Sequence, residues 1–123
     1  MHLLLLEGYT RIYAVDSFFD DFKKLFGKDA RSYELEKKHL LSSLKLLDQQ
    51  PLPELIKMGK RFERLVNEDF YVIRHVSKTN PRSIFIIADD DGNLCLLNCF
   101  LEKSRADYEV AKQKAKGIQK LLF

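Results

Sequence analysis

The chain has 123 residues, 46% of them hydrophobic and 32% charged, with a formal net charge of +3 at pH 7. This length suits a single domain over residues 1–123 with one core of two packed layers, and the composition excludes a disordered tail or a fibre. The net charge is too mild to imply a nucleic-acid partner by itself, but its distribution is uneven: Lys57, Lys60, Arg61 and Arg64 form a basic stretch, and Lys112, Lys114, Lys116 and Lys120 crowd the end.

Met1 to Gly8 contains four consecutive leucines. It lacks a basic leader and a small-residue cleavage site and is too short to span a bilayer, so neither an export signal nor a membrane span is expected. Arg11 to Val15 reads as a short strand, and Asp16 or Ser17 can cap a following helix in which Phe18, Phe22 and Leu25 line one face until Gly27. Asp29 can cap a longer helix with Tyr33, Leu40, Leu44 and Leu47 as its apolar stripe, ending before Pro51 and Pro53. The two helices form a hairpin whose stripes are core, and the lone His39 reads as structural or solvated.

Beyond the prolines the pattern changes to runs rich in Val, Ile, Phe and Tyr: Arg61 to Val66, Phe70 to Ser77, Arg82 to Ala88 and Leu94 to Leu101. Short polar separators, Asn67 to Asp69, Lys78 to Pro81 and Asp89 to Asn93, predict antiparallel hairpins. The Asp89 to Asn93 cluster fails as a calcium loop because an EF-hand needs glycine at its sixth position, where Leu94 stands; a turn with Gly92 and Asn93 tolerating positive φ fits better. Ser104 and Asp107 have capping-box spacing, and Tyr108, Ala111, Ala115, Ile118 and Leu122 then recur with helical period. The predicted order is βααββββα. The fold class is α+β: two N-terminal helices on a mainly antiparallel sheet of four to five strands, with a C-terminal helix. Cys95 and Cys99, four apart on a strand, would have Cα atoms roughly 13 Å apart at about 3.3 Å per residue. No disulfide can reach that far, so a reducing, cytoplasmic setting is expected.

No Cys and His cluster has zinc spacing, and no HExxH, GxSxG or Walker loop occurs, so neither metal nor cofactor is expected. What remains is a set of basic and hydroxyl side chains. Strand alternation puts Tyr71, Ile73 and His75 on one face and Val72 and Arg74 on the other, where Arg74 interrupts an apolar surface. Arg82 opens the next strand, and the last strand runs out into Glu102 and Lys103, with Arg105 and Tyr108 just beyond. If neighbouring strands pair, these groups converge on the face away from the helical hairpin. His75 has a suitable unperturbed pKa of about 6.5 for a base but falls opposite Arg74, which favours a packed or capped role.

The run Phe70-Tyr71-Val72-Ile73-Arg74 resembles the LYELR strand of the RelE/ParE and HigB-type toxins. Pro81-Arg82-Ser83-Ile84-Phe85-Ile86 resembles their following YRxFY strand. Phe100-Leu101-Glu102-Lys103 resembles the Phe-x-Lys-Lys ending of HigB-like members, ahead of a helix with the character of Glu109-Val110-Ala111-Lys112. The resemblance covers most of the chain from Ile12 onward. It implies a toxin of a type II toxin-antitoxin system that cleaves mRNA in the ribosomal A site without metal. A cognate antitoxin, of helix-turn-helix HigA-like type, would hold it in check, and no membrane is involved.

By position, Arg74, Arg82 and Lys103 would then form the basic catalytic set, with Tyr108 matching a tyrosine some members carry. Glu102 departs from the pattern by replacing the first lysine of the pair, and it rivals Lys103 and His75 as the base that the 2′ hydroxyl requires. Lys57, Lys60, Arg61, Arg64, Lys78 and Arg105 would grip the nucleic acid through phosphates. Two other classes share these features: a ParE-like inhibitor of DNA gyrase, acting through a surface, and a catalytically inactive phage-derived interaction module.

Overall fold

The computed structural model describes residues 2–66 and 68–123. In chain order it contains strands β1 (Leu3–Leu5) and β2 (Ile12–Val15), helices α1 (Phe18–Lys24), α2 (Ala30–Gln49) and α3 (Leu52–Lys57), strands β3 (Phe62–Arg64), β4 (Tyr71–Arg74), β5 (Pro81–Ile87) and β6 (Leu94–Leu101), and helix α4 (Arg105–Leu122). The fold is α+β with a six-stranded mixed sheet in the order β1-β2-β6-β5-β4-β3. Every neighbouring pair is antiparallel except β2 and β6, which run parallel. No described helix is long and apolar enough to cross a membrane.

Two elements go beyond the sequence reading. The leucine run supplies β1, a short edge strand on β2. Pro51 and Pro53 do not mark a loop: Pro51 caps α3 and Pro53 sits in its first turn, where the missing N–H has no intrahelical partner to lose. The sheet therefore has six strands instead of four to five, and three helices precede β3 instead of two.

Asp29 caps α2 as expected, its Oδ1 accepting from the Ser32 N–H at 3.0 Å, whereas Ser17 precedes α1 without a side-chain cap. At the other end of α2, the Arg11 guanidinium donates to the carbonyls of Leu47 and Gln50. Those are orphan acceptors at the negative end of the helix dipole, so the cation ties β2 to α2. In the β5–β6 turn Asp89 accepts from the Asp91 and Asn93 backbone N–H groups, and only Gly92 takes positive φ. Asn67, in the expected β3–β4 separator, lies outside the described residues, as does Met1.

The buried cluster joins Phe18 and Phe22 of α1, Leu40, Leu44 and Leu47 of α2, Leu55 of α3, the sheet interior, and Ala111, Ala115 and Ile118 of α4. It lies on both faces of the sheet. Register puts Ile73, Ser83 and Cys99 on the face toward α1 and α2, and Val72, Ile84 and Asn98 on the other. The second face is covered by α4, where Asn98 Nδ2 donates to the Ala111 carbonyl at 3.1 Å. Cys95 and Cys99 are free, and burial pushes both thiols up to about 12.

Candidate active site

Arg74 on β4 pairs in register with Arg82 on β5, and Arg82 with Phe100 on β6, so all three side chains share the α4 face. The sequence placed these groups on an open sheet face. Instead α4 lies over it, and only the end beside β3 and the first turns of α4 remains accessible. That end is a groove of about 350 Å³ lined by Glu63, Leu65, Val66, Arg74, Glu102, Arg105, Tyr108, Glu109 and Lys112.

The two arginines differ in how they are satisfied. Arg82 is 3% exposed. Its Nε donates to Glu102 Oε2 at 3.0 Å, with Nη2 2.8 Å from the same oxygen in an ion pair, and its Nη1 donates to the carbonyls of His75 (3.1 Å) and Pro81 (3.0 Å). Those contacts make Arg82 a clamp that fixes the Glu102 carboxylate and leave it little capacity for a ligand. Among the described residues Arg74 makes one ion pair, with Glu63 at 3.4 Å, and its buried Nε finds no hydrogen-bond partner. The Nε is out of reach of solvent, but the side chain is 32% exposed, so the outer guanidinium nitrogens are the part an incoming anion can reach.

Tyr108 packs its ring edge-on against Phe100, with centroids 5.0 Å apart. Burial, then the charge of Glu102, raises its hydroxyl above the ordinary phenol range, while Arg82 and Arg74 pull the other way. Lys103 is not part of the groove. It is exposed in the turn before α4, where its backbone N–H donates to Asp107 Oδ2 at 2.7 Å, and the Ser104 N–H donates to the same oxygen at 2.8 Å. The groove therefore brings together Arg74, Glu102 and Tyr108, with Arg82 behind them and Arg105 at the rim, and does not include Lys103. The set is not strongly cationic, because Glu63, Glu102 and Glu109 balance Arg74, Arg105 and Lys112.

The basic residues read as phosphate grips also separate. Lys57, Lys60, Arg64 and Lys78 are exposed; Lys57 pairs with Glu54 at 3.7 Å, and the Arg64 guanidinium lies 6.0 Å over the Tyr71 ring. Arg61 turns inward to α2, donating to Ser43 Oγ at 2.9 Å and contacting His39 Nε2 at 3.1 Å. His39 is thus part of a partly buried polar cluster, the structural branch of its sequence reading. His75 falls opposite Arg74, as its parity indicated, with Nδ1 2.7 Å from Glu36 Oε2. The sequence reading missed Glu36, whose side chain is 2% exposed; its place four residues before Leu40 on the apolar stripe was the available signal. Among the described residues no group of three or more His, Cys, Asp or Glu side chains is placed to hold a metal ion.

Comparison with protein-family models, with curated proteins and with solved structures returned no match.

Proposed function

We propose that this chain is an endoribonuclease that cleaves mRNA on the ribosome by side-chain acid and base chemistry, a RelE/ParE-type toxin restrained by a cognate antitoxin. The observation that carries the reading is Arg74, a part-exposed cation with one ion-pair partner among the described residues, set in one groove with a clamped carboxylate and a tyrosine. The sequence resemblance at Phe70 to Arg74, Pro81 to Ile86 and Phe100 to Lys103 supports it independently.

The groups suit in-line transfer to a neighbouring hydroxyl. Glu102, fixed by Arg82, takes the proton of the ribose 2′ hydroxyl as the 2′ oxygen attacks phosphorus. Arg74 neutralises the charge gathering on the non-bridging oxygens, leaving Glu63 to do so. The bond from phosphorus to the 5′ oxygen breaks, and that oxygen takes a proton from the Tyr108 hydroxyl. The products are a 2′,3′-cyclic phosphate and a 5′ hydroxyl. Glu102 thus replaces Lys103 as the base in this scheme, and Arg82 acts through Glu102 without touching the phosphate.

The charge balance of the groove favours a second reading, a binding module without catalysis, either of the gyrase-inhibiting kind or a phage-derived accessory protein. Purified protein with translating ribosomes separates them. Cleaved mRNA carrying cyclic phosphate ends, lost in Glu102→Gln and Tyr108→Phe, supports the nuclease. Growth arrest on expression with intact mRNA and inhibited DNA supercoiling supports the gyrase-directed binder.

A further inference from the structure

On the opposite face of the sheet from the groove, α2 and the ends of β3 and β4 enclose a chain of polar groups that the chemistry above does not use. The geometry points to Glu36, His75, His39 and Arg61 as a positioning chain that holds Arg74 and Arg82 from behind the sheet. What it positions matters because of the groove reading above, but the contacts themselves do not depend on that reading.

Arg82 aims its Nη1 at the His75 carbonyl, 3.1 Å away, so the backbone at His75 helps set the guanidinium that clamps Glu102. The β4–β5 register ends at Arg74. His75 lies one residue past it, and its place is set by its side chain. Its Nδ1 is 2.7 Å from Glu36 Oε2, and its ring stacks on His39 with centroids 3.7 Å and planes 10° apart. Arg74 is held from the same side: its backbone N–H donates to the Arg61 carbonyl at 2.8 Å, and the Arg61 guanidinium is anchored on Ser43 and His39. Both arginines therefore lead back to the stacked pair of His75, just past β4, and His39 on α2. The space among these groups is about 10 Å³, enough for a single water and nothing larger. The cluster is not a second ligand pocket and can act only through its contacts.

An arginine can only donate, so His39 Nε2 must offer its lone pair to Arg61 and the ring is neutral with its proton on Nδ1. Burial first, then His75 and Arg61, keeps it so, lowering its pKa from 6.5 to about 4. The charged or titratable groups facing it are Glu36 from its own helix, His75 from the end of β4, and Arg61 from the segment before β3; Arg74 borders the space with its backbone, its guanidinium lying on the opposite face. Protonation removes the acceptor that Arg61 uses and places a cation beside it, which loosens Arg61 and with it the hold on Arg74.

The test is NMR of the full chain, following the Arg82 side-chain Nε–H and the Arg74 backbone N–H. Glu36→Ala should speed hydrogen exchange at the Arg82 Nε–H at least tenfold while the thermal melt stays cooperative. Glu36→Gln, whose amide oxygen still accepts from His75 Nδ1, should restore slow exchange; a general loss of packing would not be rescued this way. On acidification the Arg74 N–H signal should shift with a midpoint near 4 in the wild type and not in His39→Phe, which keeps a stacking ring but cannot titrate. In a cleavage assay Glu36→Ala should lower kcat more than it raises KM. A wild type that does not cleave RNA removes the groove reading alone, and NMR still decides the positioning chain. Unchanged Arg82 exchange in folded Glu36→Ala, or an Arg74 shift that persists in His39→Phe, overturns the inference. If Glu36→Ala does not fold, the His39→Phe titration decides.

Discussion

Arg82 and Arg74 occupy adjacent register positions, yet their surroundings give them opposite roles. Arg82 is buried with its donors spent on Glu102 and two carbonyls, so Arg82→Ala strips a partly buried carboxylate of its partner. Urea denaturation should show a loss of about 3 kcal/mol, at the lower end for breaking a buried pair because Glu102 retains some solvent. His39 sets a pH dependence of the opposite sign from a histidine held protonated by a carboxylate. Its folded-state pKa lies near 4, below the ordinary 6.5, so the unfolded chain takes up the proton first as pH falls. The stability it supports is complete above about 6.5 and drains away toward 4. The full shift would correspond to about 3 kcal/mol, and partial exposure of the ring reduces this to about 1–2 kcal/mol. Denaturation at neutral pH and near 4.5 should show this loss in the wild type and a correspondingly smaller one in His39→Phe. From sequence, the face of Arg74 and the opposing face of His75 were both legible, because strand alternation depends on local parity alone. Whether an arginine is spent or free was not, since Glu102 reaches Arg82 only through the β5–β6 register.

At the level of elements, the long periodic segments were legible: α2 and α4, with the cap of Asp29 and the Ser104 and Asp107 pair, fall where their apolar spacing puts them. The short ones were not. An apolar run such as Leu3 to Leu6 has no alternation to read, and its strand exists because β2 is beside it. In α3 the prolines were read as breakers although their positions are those a helix start tolerates. The β4 strand stops at Arg74, short of the expected Ser77, because the next loop has bonds of its own. Asn80 Oδ1 accepts from the Ser77 N–H at 3.0 Å, Ser77 Oγ accepts from the Asn80 N–H at 3.3 Å, and Asn80 takes a φ of 49°. The Asn80 carbonyl also accepts from the Glu102 N–H at 3.0 Å, so this loop helps place the candidate base. Asn80→Val puts a branched side chain in the left-handed region and should cost about 1–2 kcal/mol in thermal or urea melts. Asn80→Gly should cost less, because glycine needs no Cβ relief there and loses only the Oδ1 bond.

Across the whole molecule, the main difference between sequence and structure is the course of α4. Its capping and period were readable, but nothing local says that it folds back over the face carrying Arg74 and Arg82, because that packing depends on Asn98, Phe100 and the buried alanines of the helix meeting across the sheet. An open cationic face became a narrow, charge-balanced groove at one end, and Lys103 fell outside it. The proposed chemistry still centres on Arg74, a partly buried side chain, 32% exposed, whose removal should change stability by about 1 kcal/mol or less while removing a charge worth on the order of a hundredfold in rate. The decisive measurement is primer-extension mapping of mRNA cleavage by purified wild type and Arg74→Ala on translating ribosomes, with thermal melts of both. Cleavage by the wild type, reduced about a hundredfold or more in a cooperatively folded Arg74→Ala, is the expected result; no cleavage by folded wild type, or wild-type cleavage by the variant, would contradict it.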